Sequence, residues 1–182
     1  AVAALPLAAS VHAQPAPSAT QQSASQKLAA LFAASDAASL ERNPISKLFR
    51  GDTSSAGRLG NPFSGSYYAA ERAAAERELA ALAAIDRSQL SPQEQVSYDV
   101  FKWERTTDLR GLQPDLLALT AVRPMNHFFG IHTFYPTFAS GKGAAPFKTV
   151  EDYENNLKRH KDYVTYLDRA IGRFRQGIQT GV

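Results

Sequence analysis

An apolar stripe near the end of the chain constrains the fold most. Val150, Tyr153, Leu157, His160, Val164, Leu167, Ile171 and Phe174 recur in alternating steps of three and four, which places them along one side of an α-helix. Thr149 is a good N-cap, and Glu151, Asp152 and Glu154 sit where carboxylates meet the positive end of the helix dipole. Arg169, Arg173 and Arg175 fall in the last turns, and Gly177 offers a left-handed stop. The pattern predicts a helix from Thr149 to Arg175 whose stripe is a core-facing seam against other helices. Glu154 and Lys158 are spaced for an i,i+4 ion pair worth only a few tenths of a kcal/mol, so the seam should decide the packing.

Upstream, the same reasoning yields more helices. Gln26 to Glu41 is helical by pattern, with Leu28, Leu31, Phe32 and Ala38 favouring one side and Ser35 in the middle of that stripe, and Asn43-Pro44 stops it. Between Asn43 and Ser66 the glycines and prolines are dense, so a loop with one short turn at Ile45 to Phe49 is expected. Tyr67 to Ile85 reads as a second long helix, capped by Ser64 or Ser66, with Tyr68, Ala75, Leu79, Leu82 and Ile85 on one side. Ser91-Pro92-Gln93-Glu94 is a capping box with Pro at the first helical position, opening a helix to about Arg110. On it Val96, Val100, Trp103 and Thr107 share a face, while Tyr98 and Phe101 lie off it. Two helices joined by so short a link tend to pair antiparallel. From Leu112 to Lys148 the helical period is lost. Pro114 can open a short helix over Asp115 to Ala121, and the rest is a long aromatic-rich loop, a kind of connection that is often functional. The fold class expected is all-α: antiparallel helices with a long aromatic-rich irregular loop, an incomplete part of a larger helical fold.

Composition excludes several classes of function. With no Cys there is neither a disulfide scaffold nor a thiolate metal site, and a net charge of +3 spread along the chain gives no reason to expect a nucleic-acid partner. No apolar run reaches the roughly 18 residues of a membrane span. Ala1 to Ala13 is small and apolar and ends in Val11-His12-Ala13, a match to the small-x-small pattern before signal-peptide cleavage; an Ala-rich tail is the alternative. The domain reading is therefore residues 1–13 as the remnant of an export signal, 14–26 as a flexible linker, and 27–182 as the N-terminal helical part of a larger domain. Export implies a periplasmic or secreted location. The chain opens without Met and runs out just after its best helix, which reads as a piece of a longer protein.

Residues that could carry chemistry are few. His127 and His132 are close in sequence, but they are five apart and straddle Gly130, whereas helical metal pairs are spaced i,i+4. No neighbouring carboxylate or third nitrogen completes a ligand set, so no metal ligand is expected among them. Two other readings remain open: hydrogen-bonded histidines in an aromatic pocket, or a substrate groove lined by His127, Phe128, Phe129, His132 and Tyr135. His160 sits on the seam and reads as structural. No carboxylate pair stands out for acid–base work, and Gly141-Lys142-Gly143 lacks the spacing of a phosphate loop. No catalytic residue is assigned.

Several features in order resemble the N-terminal part of a bacterial family, domain of unknown function 885. They are the export signal, Asn43-Pro44 after the first helix, Leu90 to Asp99 opening a helix, the aromatic loop, Thr149-Val150-Glu151-Asp152-Tyr153 with its long helix, and Arg175-Gln176-Gly177-Ile178-Gln179-Thr180-Gly181. The resemblance spans roughly residues 27 to 182. It implies a mostly helical relative of gluzincin-type zinc metallopeptidases, whose His-Glu-x-x-Pro-Gly-His signature lies in the C-terminal half; two histidines and a downstream glutamate would hold zinc while the motif glutamate activates the bound water. That signature does not occur in this chain. The resemblance thus implies a scaffold and channel-wall segment, inactive alone, with no cofactor of its own, zinc in the parent protein, the C-terminal part of the same protein as its partner, and a peptide substrate. The alternative is a self-contained periplasmic helical module that binds a peptide or protein.

Overall fold

The computed structural model describes residues 22–182, so the expected export signal and most of the linker lie outside the described residues. The described chain is all-α, with helices α1 (Ala24–Arg42), α2 (Pro44–Phe49), α3 (Gly65–Ala83), α4 (Pro92–Gly111), α5 (Pro114–Thr120), α6 (Tyr135–Ala139) and α7 (Val150–Thr180). Single 3-10 turns occur at Arg87–Gln89 and Ile131–Thr133. The caps follow local chemistry. Ser23, Ser91 and Thr149 each close a reciprocal capping box with Gln26, Glu94 and Asp152, and the Ser64 hydroxyl accepts from the Tyr67 amide at 3.0 Å. Helix α7 runs past its expected stop. Gly177 is helical and buried, and the left-handed residue is Gly181, at φ 76°. Gly177 serves close approach instead: a Cβ there would stand 3.2 Å from the Cβ of Val122.

The buried side chains form two clusters. In the first, α1, α3 and α4 pack Leu28, Leu82, Ile85, Leu90 and Tyr98 together, with Leu31, Phe32 and Phe101 at the rim. In the second, Tyr166 of α7 meets Leu48 of α2, Ala56 and Leu59 of the following loop, Tyr135 and Phe138 of α6, and Ala145. Contacts join the two halves: the Arg173 guanidinium of α7 lies 5.4 Å from the ring centroid of Tyr68 on α3, and Arg50, just after α2, pairs with Asp36 of α1 at 2.7 Å.

The expected seam of α7 is overturned. Val150, Tyr153, Leu157, Val164, Ile171 and Phe174 face solvent, and so does Ile178, which extends the same stripe; the two ends, Val150 and Ile178, are 76% and 80% exposed. His160 is exposed as well, and Leu167 alone of the stripe is packed against a core cluster. The residues that α7 buries are Asn156, Arg159, Tyr166, Ala170 and Gly177, on an adjacent face. The cause is what α7 packs against. The extensive helix pairs are α3 with α4 and α1 with α3, and α7 belongs to neither. It lies on the loop after α2 and on the short helices α2 and α6, and the loop and the end of α6 carry backbone groups that must be hydrogen-bonded once buried. The face that meets them therefore carries donors and acceptors. Arg159 Nη1 donates to the Ala56 carbonyl, Asp162 Oδ2 accepts from the Leu59 amide at 2.9 Å, Arg173 donates to the Phe63 carbonyl, and Asn156 Nδ2 donates to the Ala139 carbonyl at 3.4 Å.

Helix α4 departs from expectation in the same way. Val96, Val100 and Trp103 are exposed, Trp103 at 68%, while Tyr98 is buried and Phe101 packs on Phe32 with ring centroids 5.0 Å apart. The expected Glu154–Lys158 pair is replaced by a contact from Lys158 Nζ to Asn155 Oδ1 at 3.4 Å. If this assignment of faces is right, Tyr166→Ala should cost about 3–5 kcal/mol of unfolding free energy, whereas Val164→Ser on the exposed stripe should change it by less than about 0.5 kcal/mol. Urea unfolding of the two variants separates the cases, and equal losses would contradict the assignment.

Candidate functional site

The aromatic loop is shaped by two backbone devices. Asn126 pins a tight turn: its Oδ1 accepts from the amides of Phe128 and Phe129 at 2.8 and 2.9 Å, while its own amide donates to the Phe129 carbonyl at 3.0 Å. The turn thrusts Phe128 and Phe129 outward, 70% and 73% exposed, with the His127 ring 3.9 Å from that of Phe128. Gly130 follows at φ 137° and ψ 163°, a region open essentially to glycine alone, and a Cβ there would lie 2.7 Å from His132 Nδ1. The His132 ring folds back over this glycine, and its Nδ1 is buried without a hydrogen-bond partner.

The five residues expected to line a groove are divided. His127, Phe128 and Phe129 stand in solvent, His132 is half-buried, and Tyr135 is a core residue stacked on Tyr163 at 3.8 Å between centroids. Burial raises the pKa of the Tyr135 phenol. Its hydroxyl lies 3.0 Å from His160 Nδ1, and His160 Nε2 is 3.1 Å from Asn156 Nδ2. Arg159 Nη2 donates to Asn156 Oδ1, which fixes the amide orientation, so His160 Nε2 must accept and its Nδ1–H points at Tyr135. Asn156 and Arg159 thus set the histidine tautomer. The exposed His160 is anchored in this way at the edge of the second cluster by Tyr135 and Asn156.

Two features were not anticipated from the sequence. One is a polar cleft of about 380 Å³ between the C-terminal end of α1, the 58–64 loop, the start of α3 and α7, lined by Arg42, Arg58, Asn61, Tyr67 and Asp162. Its polar groups are largely spent on each other: Arg42 pairs with Glu71, Tyr67 donates to Asn43 Oδ1 at 3.0 Å, and Asp162 holds Leu59, although Asn61 Oδ1 is buried without a partner. The second is Arg159, whose burial no periodicity signals. Among the described residues no group of three or more His, Cys, Asp or Glu side chains is placed to hold a metal ion. The described residues therefore do not fit a zinc centre. No helix among them is long and apolar enough to cross a membrane.

An all-α chain built round one long terminal helix, carrying the ordered motifs noted above, defines a class before it defines an activity. Residues 44–182 match the family described as bacterial protein of unknown function, DUF885. The chain belongs to that family. Comparison with curated proteins and with solved structures returns no match.

Gly130→Ala tests the loop geometry. Forcing a side chain into this backbone region and against His132 should cost about 1–3 kcal/mol, read as a lower urea midpoint at unchanged slope. An unchanged midpoint would show that the loop adopts another path.

Proposed function

We propose that this chain is the helical scaffold and channel-wall segment of an exported zinc metallopeptidase-like hydrolase, and that it does not itself carry the zinc motif. One observation carries the reading. The uncovered stripe of α7 from Val150 to Ile178 runs for about 42 Å at 1.5 Å per residue, and the exposed Val96, Val100 and Trp103 of α4 add a second apolar strip. Soluble proteins rarely leave contiguous apolar surface of this extent uncovered. Further helices of the same protein would cover it, in keeping with the larger helical hydrolase that the sequence motifs resemble. The export pattern of Ala1 to Ala13 supports a periplasmic or secreted location. Zinc and the water-activating glutamate would belong to the rest of the parent protein.

A second reading has an observation of its own. The Asn126 turn holds two phenylalanines in solvent, which suits a helical module that captures a peptide or protein on the tip of its loop. Under this reading Phe128→Ser with Phe129→Ser abolishes capture while leaving the fold intact.

The purified chain tests the first reading. It should show no peptidase activity and no stoichiometric zinc, and tight zinc binding at an equimolar ratio would overturn the assignment. It should also associate with rising concentration in sedimentation velocity, and Leu157→Glu with Val164→Glu should reduce that association. A chain that stays monomeric with and without the two substitutions would contradict the docking role of the stripe.

A further inference from the structure

Arg159 is the least expected residue of the core. It is 2% exposed, yet among the described residues it forms no ion pair. A guanidinium stays charged under all ordinary conditions and presents a fork of N–H donors. Here Nη1 donates to the Ala56 carbonyl, Nη2 donates to Asn156 Oδ1 at 3.3 Å, the plane lies over the Phe138 ring at 4.9 Å, and Nε has no partner. Neutral acceptors and a ring face offset part of the desolvation cost but supply no counter-charge. Burial accordingly pulls the pKa of this arginine below its usual value.

Beside it lies a cavity of about 170 Å³ with Arg159 in its wall. That is close to the ~150 Å³ cavity that accepts a benzene molecule in a well-studied engineered core, so a ligand of about six non-hydrogen atoms fits. Leu48 and Pro146 give it an apolar side, and Thr53 and Lys148 contribute a hydroxyl and a second positive charge. The Asp152 carboxylate is also in the wall, but it is engaged elsewhere: Oδ2 accepts from the amides of Lys148 and Thr149 at 2.9 and 2.8 Å, closing the start of α7. It therefore does not neutralise the guanidinium at ion-pair distance.

We propose that this cavity is a binding site for a small carboxylate, held by the Arg159 guanidinium with its apolar part against Leu48 and Pro146. A guanidinium with an unpartnered Nε–H suits an oxyanion, and the apolar wall of Leu48 and Pro146 suits one that carries a hydrocarbon part, which a small carboxylate has and inorganic phosphate lacks. The proposal is independent of any zinc chemistry. Two sources share this ligand chemistry, a free short-chain carboxylic acid and the terminal carboxylate of a peptide.

Isothermal titration calorimetry on the full chain with isobutyrate, and with isobutyramide as its neutral twin, tests the site. Isobutyrate should bind saturably and at least tenfold more tightly than the amide, and Arg159→Gln should remove the difference. Ala144→Leu, which fills the cavity from its wall while sparing the guanidinium, should weaken isobutyrate at least tenfold and decides the matter if Arg159→Gln fails to fold. Equal affinity for acid and amide, no saturable binding, or isobutyrate binding unchanged by Ala144→Leu would each overturn the proposal. An acetylated dipeptide with a free C-terminus binding more tightly than isobutyrate would assign the site to peptide termini, and the reverse order to free acids.

Discussion

Four side chains of one helix hold the loop after α2 and the end of the short helix α6 in place, and the rest of the structure follows from that arrangement. Arg159 reaches the Ala56 carbonyl, Asp162 the Leu59 amide, Arg173 the Phe63 carbonyl and Asn156 the Ala139 carbonyl. Loops have no ladder of their own, so their buried backbone groups need partners from side chains. Helix α7 supplies those partners along a single face, with Tyr166 and Ala170 filling the apolar gaps between them. Once that face is committed to the loops, the neighbouring stripe cannot also be turned inward. An exposed apolar ridge is the geometric consequence.

Apart from α6, which lies inside the expected aromatic loop, the helices were legible in the sequence to within a few residues because their signals are local. The Ser91–Glu94 and Thr149–Asp152 capping boxes, the Asn43-Pro44 break and Pro114 act within one turn, and each marks a boundary observed in the structure. Facing was not legible. A helical period identifies the apolar arc of α7 and of α4, but which part of the arc is covered depends on neighbours distant in sequence. Arg159 and Val164 show the inversion: the charged residue is buried because a loop carbonyl waits for it, and the apolar one is exposed because no described residue reaches it. Gly177 illustrates the same limit, since its value lies in the approach of Val122 and not in a helix stop.

The candidate site shows a similar division. The aromatic cluster was visible as a composition shift, and Asn126 and Gly130 are turn residues whose effect can be read locally. That Tyr135 belongs to the core while Phe128 and Phe129 stand in water could not be, because it rests on Tyr163 and His160 some 25 or more residues away in sequence. The polar cleft and the Arg159 cavity left no trace in any motif, as each is assembled from three or more segments. In this member of DUF885, the functional reading therefore rests on surfaces and on one unpaired charge, with no catalytic motif to anchor it.

The facing of α7 is the claim on which the account turns, and the absence of cysteine makes it directly measurable. Single cysteines at Leu157, Val164, Ile171, Asn156 and Ala170 can be labelled one at a time in a dilute, monomeric sample, and thiol reaction rates compared with those of the unfolded chain. The account predicts that cysteines at 157, 164 and 171 react nearly as fast as in the unfolded chain, while those at 156 and 170 are strongly protected. Protection at 157, 164 and 171 together with fast reaction at 170 would mean that the apolar ridge is the buried face after all, and would contradict it.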